Sequence, residues 1–453
     1  MTTLTDALYV APDMAAVWSG ENFVRGILTF EGAHARAEAR AGVIPAEAAI
    51  AISGACVGGA FDTEALLREA ADAGSPAIPV IHALTTMVGE PAGWYVHWGA
   101  TSQDAIDTAH VLQMRVGITL LRATALATGE ICARLAETRR GDIMVGRTLL
   151  QQATPITFGL KAARWLALLT RQARRLNELR DQIGVVQFGG ASGTLAALGD
   201  QGPRIMELLA EELGLAAPDL PWHAERDRVA EVAAGLGVLA GAFAKIAGDV
   251  ILLAQTEVGE VAEAAAEGRG GSSTMPQKRN PTHAVAAVAA ARLALGTASA
   301  LLGATAQEHE RAAGAWQMEW AALPDLFRYT SGAALHTRRS LEGLIIDVGR
   351  MRERLNQSGG LPLAEALMMA LAPHLGKPAA QRLVGELAER VSAAGALREV
   401  ALADERVRAV LSADDVERAL DPRRYVGGAD LFIDRALAEF RALRDEPDVS
   451  GHV

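Results

Sequence analysis

Residues 268–281 read GRGGSSTMPQKRNP. The stretch follows neither helical nor strand periodicity, yet it gathers groups that do chemistry. Ser272 and Ser273 carry hydroxyls, Lys278 a cation suited to a carboxylate, and Asn280 a donor and an acceptor together. Glycine lets a backbone approach a ligand and hinge. A Gly-rich flank before paired serines therefore suits a lid that closes on a substrate. Pro281 stands where the next helical pattern opens, a good first-turn residue. On these residues alone, a polar connector ending in a capping proline reads equally well.

Two further stretches have the same character. HWGATSQDAIDTA (97–109) sets Thr101 and Ser102 just before a helical run, with Asp104 near its start. Hydroxyls beside free N–H groups at a helix N-terminus make an anion site, although ordinary capping uses the same residue types. His97 is either a packed loop histidine or a ligand contact. GRTLLQQATPITFG (146–159) supplies Arg147, Thr148, Gln151 and Gln152 ahead of another helical run.

The elements that hold these stretches read as helices. Apolar residues recur at helical spacing over about 105–140, 157–183, 228–267, 282–307 and 324–355, and no strand pattern of any length stands out. Shorter helices are expected at 22–41, 46–54 and 63–73. Others are expected at 361–375, 378–394, 396–403, 406–411, 414–419 and 428–442. The fold class is all-α. Three helical domains are expected, at 1–110, 111–355 and 356–453, the middle one a bundle of long helices. The strongly apolar third long helix needs burial on all sides, which a homo-oligomer with a shared core would supply.

The chain has 453 residues, half of them hydrophobic and only 4% aromatic, with a formal net charge of -11. That charge disfavours nucleic acid or an anionic membrane as the main partner. Lys245 and Asp249 interrupt the most apolar stretch, which reads as a bundle helix rather than a membrane span. Cys56 and Cys132 have no metal-ligand spacing and read as free, inert thiols in a reducing setting. No leader pattern opens the sequence, so a cytoplasmic location is expected.

GSSTMPQKRNP (271–281) resembles the signature of the fumarase/aspartase superfamily, and the blocks at 97–109 and 146–159 resemble its two other conserved segments in the expected order. The resemblance implies a helical-bundle homotetramer with active sites shared between subunits. It implies β-elimination on a small anionic di- or tricarboxylate, with no metal or other cofactor. By resemblance Ser272 is the general base, and Lys278 and Asn280 hold the carboxylate and the developing aci-carboxylate charge. His97, Thr101, Ser102, Arg147, Thr148, Gln151, Gln152, Ser273, Met275, Gln277, His309 and Arg311 are the expected substrate contacts. Arg226 and Arg228 are further anion-contact candidates. Each of these arginines, and His309, could equally serve an ion pair between helices or subunits. Trp316 and Trp320 read as packing.

Where many relatives have a histidine that protonates the leaving group, this chain has Gln152. Glutamine is no acid near neutral pH. A carboxylate leaving group, with a pKa of ~4, needs no such acid. Lactone opening and closing is chemistry of that kind, unless His97 supplies the proton instead. QFGGASGTLAALG (187–199), PWHAERDRV (221–229), QEHERAAGAWQMEW (307–320) and LDPRRYVGGADLFIDRAL (420–437) resemble the bacterial cycloisomerases of 3-carboxy-cis,cis-muconate. That branch usually has histidine where Gln277 stands. The two glutamines leave a 3-sulfo substrate open, since amides can donate to a sulfonate oxygen. An adenylosuccinate-type lyase and a non-catalytic helical scaffold are the rival functions.

Overall fold

The structure is a computed structural model that describes residues 5–264, 275, 278–391 and 395–446. It is 71% helical. Helix α1 (Gly20–Arg40) lies in an N-terminal group of helices. Five long helices follow: α2 (Ser102–Thr138), α3 (Phe158–Ile183), α4 (Asp227–Leu253), α5 (Thr282–Gly303) and α6 (Ala315–Leu341). They pack side by side as the bundle. Small residues permit close approach. A Cβ on Gly117 of α2 would come within 2.7 Å of Phe327, and one on Gly129 within 2.6 Å of Phe440. Phe158, Trp165, Phe243 and Phe327 are fully buried between the helices, worth about 2–3 kcal/mol each.

Among the described residues, four short strands depart from the strand-free expectation. β1 (Ile143–Thr148) and β2 (Gln151–Thr157) form an antiparallel hairpin, and β3 (Val261–Ala262) pairs with β4 (Ile345–Ile346). The β1–β2 turn is Leu149–Leu150, both left-handed at φ 51° and 64°. No turn chemistry in the sequence announces it, because such two-residue turns favour Asn-Gly.

The helix ends also differ from the periodicity. α4 stops at Leu253, because the chain folds back on the Gln255 carbonyl and Gly259 is left-handed at φ 65°. α6 begins at Ala315, so Pro324 lies inside it rather than at its start. Gly343, at φ 75°, follows the end of α6 at Leu341, and Val348–Asn356 is a separate helix capped by Asp347. Pro281 is the N-cap of α5, not its first helical residue.

Apolar side chains gather in three clusters. One fills the bundle and includes Phe440 from the last helix, Ala429–Asp445. A second joins α1 to 186–210, and a third lies within 367–416. Three bundle helices, α2, α4 and α5, are long and apolar enough to cross a membrane by length and composition alone. Each instead packs against other bundle helices.

Candidate active site

The N-terminus of α2 is built around Asp104. This fully buried carboxylate accepts hydrogen bonds from the backbone N–H of Thr101 (3.0 Å), Gly189 (2.9 Å) and Gly190 (3.0 Å). His223 Nε2 donates to it at 2.7 Å. Asp104 thus fastens the 187–199 segment over the start of α2. Arg311 closes the other side, donating to Gln103 Oε1 at 2.9 Å and to the Ala191 carbonyl at 3.2 Å. Thr101 and Ser102 remain half-buried at this end of the bundle, and His309 is exposed with φ 50°.

His97 sits just ahead of Thr101 in a left-handed conformation, φ 59°. Strain of this kind persists where the surroundings over-determine it, often at functional sites. Its Nδ1 donates to Glu31 Oε1 at 2.6 Å, which leaves Nε2 for a ligand. Burial lowers the imidazole pKa, but Glu31, with help from Asp104, outweighs burial and holds it above the usual value. The imidazolium is therefore favoured beside a partner carboxylate.

A second group of candidates sits at the far end of the bundle. Arg147 is committed to Glu260, with both terminal nitrogens at 2.8 Å from its two oxygens. Thr148, Gln151 and Gln152 are exposed on the hairpin. Gln152 Nε2 donates to the Arg354 carbonyl at 3.1 Å, and Ser358 donates to Gln152 Oε1 at 2.9 Å. A cleft of about 650 Å³ opens between this strand and 358–365.

Glu260, paired with Arg147 at this end, leads into the signature stretch. Glu263, ahead of it, accepts from the backbone N–H of His283 (3.1 Å) and Ala284 (2.8 Å), behind it. That carboxylate caps α5 and ties the two ends of the stretch together. Met275 and Lys278 are exposed and Asn280 half-buried, with the Lys278 N–H donating to the Met275 carbonyl at 3.0 Å. Ser272, Ser273 and Gln277 lie outside the described residues.

The candidates therefore form two groups rather than one. His97, Thr101, Ser102, His309 and Arg311 lie near the start of α2. Arg147, Thr148, Gln151, Gln152, Met275, Lys278 and Asn280 lie toward its other end. α2 has 37 residues, and so is about 55 Å long at 1.5 Å per residue.

Other candidates serve the scaffold. Arg226 is fully buried between Asp107 (2.7 Å) and Glu319, which it meets through Nε at 3.1 Å. It is no anion contact. Burial raises the Asp107 pKa, but Arg226 outweighs that and keeps Asp107 low. Burial and the Asp107 charge push Glu319 up despite Arg226. Trp316 Nε1 donates to Asp107 Oδ1 at 2.9 Å. Arg228 donates to the Gln182 carbonyl at 3.3 Å. Cys56 and Cys132 are free, and burial pushes both thiols up to about 12, which leaves them inert. Among the described residues, no group of three or more His, Cys, Asp or Glu side chains could hold a metal ion.

Sequence reasoning missed Glu31, Glu260 and Glu263, each of which positions a candidate stretch. A signal for Glu31 existed: Glu31, His34 and Glu38 recur at i, i+3 and i+7 on an otherwise apolar helical face.

A long-helix bundle carrying these three blocks defines a lyase of the fumarase/aspartase superfamily. The family described as Lyase matches residues 9–296, and the chain belongs to it; the one described as adenylosuccinate lyase C-terminus matches 360–436. The chain is 48% identical over 448 residues to the 3-carboxy-cis,cis-muconate cycloisomerase of Pseudomonas aeruginosa, covering 98% of both chains. It is 46% identical to the same-named protein of Bradyrhizobium diazoefficiens, over 94% of this chain and 95% of the relative. The crystal structure of the 3-carboxy-cis,cis-muconate lactonizing enzyme from Pseudomonas putida superposes with a TM-score of 0.90 at 43% identity. That match covers 97% of this chain and 99% of the other.

Proposed function

We propose that this chain is a cytoplasmic cycloisomerase that interconverts 3-carboxy-cis,cis-muconate and a carboxymuconolactone in aromatic-compound breakdown. The observation that carries the reading is the 48% identity across nearly the whole chain. Gln152 agrees with it, since its amide is held at both ends and has no proton to give as an acid. In the lactone-forming direction a substrate carboxylate oxygen adds to one alkene carbon, and Ser272 delivers a proton to the neighbouring carbon. In reverse, the Ser272 alkoxide takes that proton and the carboxylate leaves with the electron pair. Lys278 and Asn280 hold the adjacent carboxylate while charge builds on it. His97, as imidazolium, holds a second substrate carboxylate, with the α2 N-terminus at Thr101 and Ser102 beside it. The chemistry needs no metal or cofactor.

The same proposal makes the enzyme a homotetramer. The two groups of candidates, separated by the length of α2, meet only if different subunits supply them. Val238 and Leu252 on α4, and Val285, Leu293, Leu295 and Leu302 on α5, are exposed in the single chain. Helices of other copies cover them, rather than lipid or nucleic acid. The division at 1–110, 111–355 and 356–453 belongs to this reading, with 111–355 as the assembling unit.

A second reading replaces the 3-carboxylate with a sulfonate. It rests on Gln152 and Gln277 as amide donors. It ranks behind the first because Gln152 Nε2 already donates to the Arg354 carbonyl. Loss of diene absorbance, measured side by side on the 3-carboxy and 3-sulfo muconates, tests both. Fast turnover of the carboxy compound with slow turnover of the sulfo compound is expected. The reverse would establish the second reading, and no reaction with either compound would overturn both.

A further inference from the structure

Residues 8–11 cross α6 and are pinned there at three places. The Ala11 N–H donates to Ser331 Oγ at 3.1 Å, and His336 Nε2 donates to the Leu8 carbonyl at 2.7 Å. Between these bonds the Tyr9 carbonyl lies so close to Gly332 that a Cβ there would run into it. His336 continues the path. Its Nδ1 stands 3.0 Å from Nδ1 of His283, in the first turn of α5, and both rings are buried.

The proton order along this path is fixed. A carbonyl only accepts, so His336 Nε2 carries a proton. Burial pushes the His336 pKa below its ordinary value against the Leu8 carbonyl, and His283 and Arg339 add to the fall against Glu263. The ring is therefore neutral and offers Nδ1 as an acceptor, to which His283 Nδ1–H donates. An apolar contact would let α5 and α6 slide past each other, whereas a satisfied buried network specifies one register. His283 is held a second way, because its N–H and that of Ala284 donate to Glu263. The Thr282 N–H donates to the Asn280 carbonyl at 2.9 Å, and the Val285 N–H to the Pro281 carbonyl at 3.0 Å. A short hydrogen-bonded turn thus joins Asn280 to His283, and the place of Asn280 follows the head of α5.

We propose that His336 and His283 are positioning residues for the reaction: they transmit the seating of residues 8–11 on α6 to the head of α5, and so fix where Asn280 stands. The inference rests on the reading above, in which Asn280 holds the substrate carboxylate on which charge builds. Neither histidine has to touch the substrate. A shift of the α5 head misaligns Asn280 with that carboxylate. Small misplacements of such a group are costly, and the loss falls on kcat because the contact strengthens in the transition state.

The test is a double-mutant cycle on the assembled enzyme, read by muconate turnover and by hydrogen exchange at the 282–285 amides. His336→Leu breaks both bonds of the link. Exchange at those amides should quicken about tenfold and kcat should fall about tenfold, as for one lost buried hydrogen bond. His336→Gln keeps a donor and an acceptor and should restore both. In an Asn280→Ala background His336→Leu should lower kcat little further, because the group it positions is gone. The same tenfold loss in both backgrounds would mean a merely structural role and overturn the inference. Parent-like exchange in His336→Leu would overturn it too. Should that variant fail to fold, Gly332→Ala dislodges residues 8–11 instead and should give the same two changes, and parent-like exchange and kcat there would count against the inference equally. Asn280→Ala as active as the parent would overturn the role given to Asn280 above and the positioning with it, whereas parent-like exchange strikes the link alone.

Discussion

His97 Nδ1 and Glu31 Oε1 stand 2.6 Å apart, on a strained loop and on the buried face of α1. The pair joins an element of the N-terminal cluster to the head of the bundle, and it sets a charge. Burial alone would leave His97 neutral, whereas Glu31 raises its pKa. Replacing Glu31 with Gln removes the charge and keeps the shape, so the His97 pKa should fall. If the imidazolium holds a substrate carboxylate, KM rises with pH as His97 deprotonates, and in Glu31→Gln that rise begins at lower pH. A loss of about 1.5–3 kcal/mol for a charge-assisted hydrogen bond corresponds to a KM about tenfold to a hundredfold higher. Steady-state pH profiles of the two proteins check this, and superimposable KM profiles would sink it.

Leu149 is 96% exposed and Leu150 71%, at a turn where both residues are left-handed. In isolation this is costly twice, at about 1–2 kcal/mol of backbone strain for each residue and in bare apolar surface. Contact with another copy would repay both. Replacing the pair with Asn-Gly suits the turn itself, so the hairpin should persist. Assembly should suffer, with a smaller species in sedimentation velocity and turnover reduced at least about tenfold, the factor for about 1.4 kcal/mol of lost contact. An intact assembly with full activity would show that the tip is no subunit contact.

The all-helical architecture is legible because an alanine- and leucine-rich chain without interior proline leaves little else over 105–138. The three chemical blocks are legible because polar, glycine-bearing segments interrupt that pattern. The helix ends are less so. Nothing local separates residues 254–264 from α4, since VGEVAEA continues its apolar spacing, and only Gly259 marks the turn. Pro324 resembles a start signal, but packing along α6 overrides one missing N–H. The separation of the candidates into two groups is hidden as well. Sequence order places His97 only about fifty residues from Gln152, while the uninterrupted α2 between them carries these stretches to opposite ends.

Arg226 reads from the sequence as an anion contact and turns out to lie between Asp107 and Glu319. Its guanidinium also lies 5.0 Å from the Trp222 ring centroid. Arg226→Met leaves two buried carboxylates facing each other with no cation between them. Breaking a buried pair in this way costs about 3–5 kcal/mol. Adding Asp107→Asn and Glu319→Gln should recover much of that, because no charge is then left unpaired. Denaturant unfolding of the single and triple variants checks the order. A single variant as stable as the parent would refute the structural role.

His34 and Glu38 on α1 make the stability of the fold depend on pH. His34 Nε2 lies 3.4 Å from Glu38 Oε1, both side chains are buried, and both prefer to be neutral. Burial, then the His97 charge, lowers the His34 pKa to about 3. Burial, then the Glu31 charge, raises the Glu38 pKa to about 9. For His34 the unfolded chain binds the proton first, so between its folded value and its ordinary value of 6.5 stability rises with pH. For Glu38 the folded chain keeps the proton longer, so between its ordinary value of 4.5 and its folded value stability falls as pH rises. Each slope is about 1.4 kcal/mol per pH unit. The two cancel where they overlap, from about pH 4.5 to 6.5. Their sum therefore climbs below that window, stays flat within it and declines above it up to about pH 9. Glu38→Gln should abolish the alkaline decline and leave the acid limb in place. Thermal unfolding of both proteins across this range measures it, and an alkaline limb that persists in Glu38→Gln would assign the proton to another group.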